Sequence, residues 1–221
     1  MRAALYRAGV FRVHRAARPV VSVGNLSSGG TGKTRMVEWL ARRLSEAGRK
    51  PAILSRGYRG RVQPDGTLAN DEYLVLKSNL PDVPHVQDPD RVRGAEAAIG
   101  KFGADVLVLD DGFQHLRLAR DLDIVLLDAL DPWGGGACLP LGTAREFRGA
   151  LKRAHAVVLT RADAACPEMR AQIRAETERR APGKIWAEAA FEPKYLVHAS
   201  GTTEPAESLK GRPVLAFCGV G

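Results

Sequence analysis

The chain has 221 residues, a formal net charge of +8 at pH 7 and a hydrophobic content of 45%. This length suits one α/β domain with a substantial buried core, or one domain and part of another. The composition is that of a globular protein and excludes a large disordered segment. The positive charge indicates an anionic partner, which could be a phosphorylated molecule, nucleic acid or an acidic membrane surface.

Residues 1–18 form a basic arm in which apolar residues such as Leu5 and Phe11 alternate with arginines, and the first acidic residue is Glu38. This mixture fits an interfacial amphipathic helix, with its arginines at lipid headgroups. A short, frayed and solvated helix is the alternative. No apolar run reaches the roughly 20 residues that span a bilayer, so the sequence predicts a cytoplasmic chain.

The central part of the chain alternates short apolar runs with helical stretches, which predicts an α/β fold with a doubly wound, mostly parallel sheet. Ligands of such sheets bind beyond the carboxyl ends of the strands. The predicted strands are Pro19–Val23, Ala52–Leu54, Val106–Leu109, Ile124–Leu127 and Val157–Leu159, and the predicted helices include Thr34–Ala47 and Asp90–Lys101.

A second lobe is expected to begin near residue 184, because Ile185–Phe191 and Tyr195–His198 alternate as antiparallel strands do. Pro213–Cys218 resembles a core strand, and the chain stops soon after it, so we expect a truncated second lobe. The predicted organisation is a basic, membrane-proximal segment at 1–18, a main α/β domain at 19–183 that contains the motifs described next, and linker strands with the start of a second lobe at 184–221.

The strongest motif is a strand followed by a glycine-rich loop and Gly-Lys-Thr at the start of a helix, which is a P-loop of the NTPase type. Glycines let backbone N–H groups surround phosphate oxygens, and the helix N-terminus adds a favourable dipole. Lys33 is expected to reach the β and γ phosphates of ATP, and the Thr34 hydroxyl to ligate Mg²⁺. The first glycine of the usual pattern is replaced by serine. The predicted nucleotide-binding residues are Ser27, Ser28, Gly29, Gly30, Thr31, Gly32, Lys33 and Thr34.

A second motif is the apolar run Val106–Leu109 followed by Asp110 and Asp111, which fits a Walker B strand. A carboxylate at the end of the strand beside a P-loop can hold the hydration shell of Mg²⁺. We expect Asp110 to contact the metal and Asp111 to face the reaction centre. The alternative is a simple Asp-Asp-Gly turn.

The string from Asp110 to His115 resembles a signature of the tetraacyldisaccharide 4'-kinase (lipid A 4'-kinase) family, and further segments resemble that family in the same order. From the family pattern we expect that the sequence, as given, is short of an N-terminal membrane-spanning helix and of a complete C-terminal lobe. It also has Asn70, Tyr73, Gly135 and Phe147 where the family usually has other residues. The matching segments include Ser22–Leu26, Leu54–Tyr58, Asn70–Glu72, Asp90–Val92, Leu116–Asp121, Arg145–Glu146 and Val158–Arg161.

The resemblance implies that the protein transfers the γ-phosphoryl group of ATP, with Mg²⁺, to the 4'-hydroxyl of a tetraacylated disaccharide 1-phosphate. It places the protein peripherally at the cytoplasmic face of the inner membrane, without an obligate protein partner. It also implies that Asp71 is the base for the sugar hydroxyl; by its position alone, Asp71 could equally be a helix N-cap or a surface acid. The residues expected on the acceptor and phosphate side are Arg56, Arg91, Gln114, His115, Arg145 and Glu146.

Two other classes of function are weighed against this one. P-loop switch ATPases that act through a protein partner usually have a lysine before the glycine pair, where this chain has Ser28. Thr160–Asp163 is a loose match to the guanine-reading Asn-Lys-x-Asp motif of GTPases. Nucleic-acid binding is not expected, because the sequence shows no recognisable binding module.

Overall fold

The computed structural model describes residues 2–57, 61–62 and 68–215, and its main body is a parallel sheet with helices on both faces. The strands follow the order β5-β2-β6-β1-β7-β8-β9, and every neighbouring pair is parallel. This confirms the predicted α/β doubly wound fold. In chain order the elements are α1 (Arg2–Arg7), β1 (Val20–Asn25), α2 (Lys33–Glu46), β2 (Pro51–Ser55), β3 (Arg61–Val62), β4 (Leu68–Ala69), α3 (Asp71–Asn79), β5 (His85–Gln87), α4 (Arg91–Phe102), β6 (Val106–Asp110), β7 (Leu122–Asp128), β8 (Ala156–Thr160), α5 (Pro167–Arg180), β9 (Ile185–Glu188), β10 (Tyr195–Val197) and β11 (Thr203–Pro205).

The core lies on both faces of the sheet, because successive side chains of a strand point in opposite directions. On one face Val20 of β1 packs with residues of α4, and Leu26, just beyond β1, packs with residues near α5. On the other face Val23 packs against Val37 and Ala41 of α2. The sheet is therefore covered on both sides, as a parallel sheet requires.

Two glycines allow the loop after β6 to cross closely over β1. A Cβ on Gly24 would lie 2.5 Å from the Cβ of Phe113, and a Cβ on Gly112 would lie 2.7 Å from Ser22 Oγ. Real Cβ atoms do not approach other atoms so closely, so larger residues would push the loop away. The Gly112 N–H also donates to the Val23 carbonyl. This contact fixes the double-aspartate segment beside the P-loop.

The antiparallel pairing expected for Ile185–Phe191 is wrong. Ile185–Glu188 forms β9 and pairs in parallel with β8, at the edge of the main sheet. Ile185 is 66% exposed, because an edge strand has a neighbour on one side only. The strand therefore lacks the continuous apolar run of a buried parallel strand, which explains the misleading pattern.

Residues Ala190–Gly221 form a separate unit from Met1–Ala189. Tyr195–Val197 pairs antiparallel with β11, which confirms the pairing type expected for that segment. The core strand expected at Pro213–Cys218 is not seen over residues 213–215, where Val214 and Leu215 are exposed. The rest of that predicted strand lies outside the described residues.

The basic arm does not form one continuous helix. Helix α1 ends at Arg7, and Val10 and Phe11 lie beyond it with exposed side chains. His14 then makes backbone hydrogen bonds to Arg117 and Ala119, which attach the arm to the loop after β6. Over the described ranges, no helix combines the length and apolar character needed to cross a membrane.

Candidate active site

A cleft of about 660 Å³ lies where the P-loop helix, β2 and β6 present their functional residues. Asp110 ends β6 and Ser55 ends β2, so the cleft is at the carboxyl edge of the sheet, where ligands of doubly wound folds bind. Its walls carry both acidic and basic side chains, as expected for a phosphoryl-transfer site. The lining residues are Lys33, Ser55, Arg56, Gly57, Asn70, Glu72, Pro89, Arg91, Asp110, Asp111, Gln114, His115 and Arg145.

The predicted P-loop, residues 27–34, connects β1 to α2. Gly32 is the N-cap of α2 and has a φ of 81°, a backbone conformation that favours glycine. The loop is held by groups outside it: the Ser28 N–H donates to the Thr143 carbonyl at 2.6 Å, and Asn25 Nδ2 donates to Thr31 Oγ1 at 2.9 Å. The N-terminus of α2 is thus presented to an anion with its first N–H groups unused by the helix.

Asp110 lies at the end of β6 with only 3% of its surface exposed. Burial raises the pKa of this carboxyl to about 7, and the charges of Glu72 and Asp111 act in the same direction. Lys33 and Arg91 oppose that shift, because positive charges favour the ionised form. Asp110 is therefore an acid that a bound cation would stabilise in its charged form.

Asp111 joins the P-loop lysine to an arginine from a distant loop. Its Oδ1 lies 3.8 Å from Lys33 Nζ, and its Oδ2 accepts a hydrogen bond from Arg145 Nη1 at 2.6 Å. Asp111 has a φ of 54°, which is unusual for a residue other than glycine. Such strain, of order 1 to 3 kcal/mol, persists where surrounding contacts hold it, and it clusters at functional sites. These contacts bring three predicted site residues together.

Two arginines line another part of the cleft. Arg91, the first residue of α4, is 3% exposed, and burial lowers the pKa of its guanidinium. Its Nη1 donates to the Asp88 carbonyl at 2.8 Å, while its Nε has no hydrogen-bond partner in the described part of the chain. Arg56 follows β2 and is exposed. Guanidinium groups bind phosphate and carboxylate oxygens, so this wall suits an anionic ligand.

Helix α3 begins beside the cleft, with Asp71 as its first residue. Asn70, not Asp71, is the N-cap of α3, since its side chain accepts a hydrogen bond from the Tyr73 N–H at 2.9 Å. Asp71, the predicted base, is exposed and is not among the described residues that line the cleft. The neighbouring Glu72 does line it, and its charge contributes to the raised pKa of Asp110. Of these two adjacent acids, Glu72 is the one that lines the cleft.

Of the predicted acceptor residues, Gln114 and His115 line the cleft, and Glu146 does not. Gln114 Nε2 donates to the Asn25 carbonyl at 2.8 Å, which ties the loop after β6 to the P-loop. Glu146 instead accepts a hydrogen bond from Arg153 at 2.8 Å and lines a separate pocket of about 280 Å³. Adjacent residues thus differ in role, because Arg145 enters the cleft and Glu146 is directed elsewhere.

Several residues of the cleft were not predicted from the sequence. Ser55 is the last residue of β2 and Gly57 lies two residues beyond it, so a search of the strand ends would have found both. Asn70 and Glu72 are the neighbours of Asp71, the predicted base. Their polar character beside that residue was the signal in the sequence that could have indicated them. Pro89 lies in the turn before α4 and carries no chemical signal in the sequence.

Comparison with known proteins agrees with this geometry. The family described as tetraacyldisaccharide-1-P 4'-kinase (LpxK) matches residues 1–221. Curated tetraacyldisaccharide 4'-kinases from Anaeromyxobacter sp. (strain K) and Pelobacter propionicus are 45% and 40% identical over all of this chain. The chain spans 61% and 62% of the length of those two relatives.

A solved structure gives the same result in three dimensions. The match to the structure of LpxK from Aquifex aeolicus in complex with ATP covers 96% of this chain and 67% of the Aquifex chain, with a TM-score of 0.68 and 32% sequence identity. Sequence and fold thus point to one family. The chain belongs to the tetraacyldisaccharide-1-P 4'-kinase family.

Proposed function

We propose that this protein is an ATP-dependent kinase that phosphorylates the 4'-hydroxyl of tetraacyldisaccharide 1-phosphate in lipid A biosynthesis. The observation that carries the proposal is one cleft in which Lys33, Asp110 and Asp111 meet an arginine-lined wall, in a chain of this family. Phosphoryl transfer depends chiefly on positioning and charge neutralisation, and this cleft provides both. An Aquifex relative binds ATP, which supports ATP as the phosphoryl donor.

The P-loop, residues 27–34, would hold the phosphates of ATP with its backbone N–H groups. Lys33 has 10% of its side chain exposed and lies 3.8 Å from Asp111, so it is already directed into the cleft. Its ammonium group would neutralise charge on the β and γ phosphates. Asp111 would keep Lys33 and Arg145 in place until the nucleotide binds.

The donor set also fits Mg²⁺. Asp110 is a buried carboxylate beside other acids, and the Thr34 hydroxyl lies in the first turn of α2. Over the described residues, no group of three or more His, Cys, Asp or Glu side chains could hold a metal. Mg²⁺ takes few protein ligands and keeps water and phosphate oxygens, so one carboxylate and one hydroxyl are enough protein ligands for it. Thr34 and Asp110 would hold the ion, which supplies charge neutralisation at the transferred phosphate.

On the acceptor side, Arg56, Arg91 and Arg145 would bind phosphate oxygens, because their guanidinium groups reach the same cleft. Gln114 and His115 line that cleft as well and would position the nucleotide or the sugar. We retain Asp71 as the base on the family resemblance alone, since Glu72 is the residue of α3 that lines the cleft. Glu146 does not line the cleft, so it would contribute by holding the segment that carries Arg145.

We further propose that the protein works peripherally at the cytoplasmic face of the inner membrane, on its lipid-linked disaccharide substrate and without an obligate protein partner. The basic arm supports this location, because Arg7, Arg12 and Arg15 precede the first acidic residue of the chain. Exposed apolar residues such as Phe11 lie between these arginines. Basic and apolar residues together favour an anionic lipid surface.

The test is transfer of labelled γ-phosphate from ATP to tetraacyldisaccharide 1-phosphate in mixed micelles containing Mg²⁺. Two proteins are compared: this chain, and a chimera completed with the C-terminal part of the Anaeromyxobacter relative, because the chain spans 61% of that relative. The control is Lys33→Ala in each, with the fold checked by circular dichroism. We expect wild-type product from at least the chimera and a loss of at least about 100-fold in the variant.

Either of two results would contradict the proposal. One is the absence of product from both proteins although each folds and binds ATP, which would reject the lipid acceptor. The other is unchanged activity of the Lys33→Ala variant, which would reject the role of the P-loop lysine. Product from this chain alone would show that it carries a complete site.

A further inference from the structure

Strand β2 ends in the cleft with a buried hydroxyl group. Ser55, the last residue of the strand, lines the cleft and is 8% exposed. In the sheet, β6 separates β2 from β1, the strand that leads into the P-loop. Because the carboxyl ends of parallel strands lie side by side, Ser55 lies beyond Asp110 as seen from the P-loop. Ser55 therefore belongs to the acceptor side of the cleft, with Arg56 and Arg91.

An imidazole from the neighbouring strand holds the Ser55 hydroxyl. His85 is the first residue of β5, which pairs in parallel with β2, and its Nε2 lies 2.7 Å from Ser55 Oγ. The centroid of the His85 ring lies 4.8 Å from that of Tyr73 on α3. The ring is thus packed against one side chain and hydrogen-bonded to another, so its contacts fix the position of the hydroxyl oxygen.

The surroundings of the imidazole decide which of its nitrogens carries the proton. Burial lowers the pKa of His85 to about 4, so at neutral pH the ring is neutral and has a single N–H. Nδ1 is buried and has no hydrogen-bond partner in the described part of the chain. A proton on Nδ1 would leave a buried N–H unpaired, which is rare in folded proteins, whereas a proton on Nε2 is donated to Ser55. The Ser55 hydroxyl can then donate its own hydrogen to a ligand.

A second unused donor belongs to the same wall of the cleft. Arg91 is 3% exposed and lines the cleft, and its Nε has no hydrogen-bond partner among the residues that the structure describes. A buried donor without a partner costs free energy, so two such donors in one cleft indicate that an oxygen of a ligand pairs with them. Sugar hydroxyls and phosphate groups both offer oxygens that accept hydrogen bonds from hydroxyl and guanidinium groups.

We propose that Ser55 binds the phosphoryl acceptor by donating its hydroxyl hydrogen to a sugar or phosphate oxygen, and that His85 is the positioning residue that orients this hydroxyl. The inference rests on the proposed function, because it takes the lipid-linked disaccharide as the ligand of this wall. A neutral donor beside two arginines would orient an acceptor that the arginines attract. ATP, held by the P-loop beyond β6, is not expected to contact Ser55.

The first experiment separates the two substrates in the phosphoryl-transfer assay. The KM for tetraacyldisaccharide 1-phosphate and the KM for ATP are measured in mixed micelles with Mg²⁺, using whichever of this chain and the chimera gives product. Ser55→Ala should raise the KM for the acceptor about threefold to tenfold, the range of one lost hydrogen bond, and change the KM for ATP less than about twofold. His85→Phe keeps a ring beside Tyr73 but has no N–H, so the same rise in the acceptor KM is expected.

Further variants test the positioning role of His85. His85→Gln has an amide N–H close to the place of Nε2 and should keep the acceptor KM within about twofold of the wild-type value. The double variant Ser55→Ala with His85→Phe should match Ser55→Ala alone, because His85 acts through that hydroxyl. His155→Phe is the matched control, since His155 Nδ1 accepts from the Asp123 N–H at 2.9 Å but the residue precedes β8, at the opposite edge of the sheet. It should leave both KM values unchanged.

A second measurement needs neither lipid nor nucleotide. Nitrogen NMR of the imidazole in the full 221-residue chain at neutral pH shows which ring nitrogen carries the proton. We expect the proton of His85 on Nε2. Its resonance should shift in Ser55→Ala, because that variant removes the acceptor of the N–H.

The outcomes separate this inference from the proposed function. An acceptor KM that stays within about twofold in Ser55→Ala would remove Ser55 from the acceptor site, and an equal rise in the KM for ATP would assign its hydroxyl to the nucleotide. Effects that multiply in the double variant, or a proton on Nδ1, would reject His85 as the positioning residue. A wild type that gives no product although its His85 proton lies on Nε2 would contradict the acceptor of the proposed function and retain the orientation of the hydroxyl by His85.

Discussion

His85 provides a test of the packing beneath the site, because its protonation is coupled to folding. Its Nε2 lies 2.7 Å from Ser55 Oγ, and its ring centroid lies 4.8 Å from that of Tyr73 on α3. Burial lowers the pKa of His85 to about 4, and the charge of Arg91 adds to this shift. The imidazole is therefore neutral in the folded protein at neutral pH.

The sign of the effect follows from proton binding. Between the unfolded pKa of 6.5 and the folded pKa of about 4, the unfolded chain binds more protons at His85 than the folded chain does. Stability is therefore full above pH 6.5 and is lost as the pH falls through this window. The loss amounts to about 2 kcal/mol at about pH 5 and about 3 kcal/mol below about pH 4.

Asp110 acts in the opposite direction, so the pH dependence of the wild type alone would not isolate His85. The pKa of Asp110 is raised to about 7, so its stabilising contribution is complete below the ordinary value of 3.8 and is lost as the pH rises through 7. The quantity to measure is therefore the difference in the free energy of unfolding between the wild type and a variant without His85. Urea unfolding of the wild type and of His85→Gln, followed by tryptophan fluorescence at about pH 7 and about pH 5, cancels the contribution of Asp110.

We expect the free energy of unfolding of the wild type, relative to His85→Gln, to fall by about 2 kcal/mol from about pH 7 to about pH 5. A fixed cost of the substitution itself does not matter, because it is the same at both pH values. A relative stability that stays constant within about 0.5 kcal/mol would refute the reasoning, as would an NMR titration that puts the imidazole pKa near 6.5.

Two more predictions follow from the packing and charges of the site. Gly24→Ala places a Cβ 2.5 Å from that of Phe113, so we expect a loss of about 1 to 3 kcal/mol in the free energy of unfolding and of most of the proposed kinase activity. Gly100→Ala has open space around its Cβ and should be neutral or stabilising in the same thermal and activity assays. Glu72→Gln removes a charge that raises the pKa of Asp110, so the acid limb of the pH profile of phosphoryl transfer should move to lower pH. An acid limb that stays in place or moves to higher pH would contradict the proximity of these two carboxylates.

The fold and the centre of the site were predictable because their signals are local. A strand, a glycine loop and Gly-Lys-Thr occur together within residues 20–34, and the double aspartate ends an apolar run. In a parallel sheet these strand ends lie at one edge, so Lys33, Asp110 and Asp111 had to be neighbours once the fold was known. Their proximity follows from topology alone.

Other features depend on contacts that no local pattern encodes. Whether Asp71 or Glu72 faces the cleft depends on where α3 begins, and that point is set by the Asn70 cap and its bond from Gln87 Nε2 at 3.3 Å. A shift of one residue rotates a helix by about 100°, so adjacent acids point in different directions. The direction of Glu146 likewise depends on Arg153, a partner seven residues later.

Residues far away in sequence shape the P-loop. Thr143 accepts from Ser28, Thr160 contacts Thr31, and Gln114 holds the Asn25 carbonyl just before the loop. Binding that does not have to order a loop loses less conformational entropy, so more of the interaction free energy appears as affinity. Because the three contacts come from the loop after β6, the segment between β7 and β8 and the end of β8, the conformation of the P-loop depends on several parts of the fold. Loosening any one of these three segments should therefore weaken ATP binding, although Gln114 lines the cleft and Thr143 and Thr160 do not.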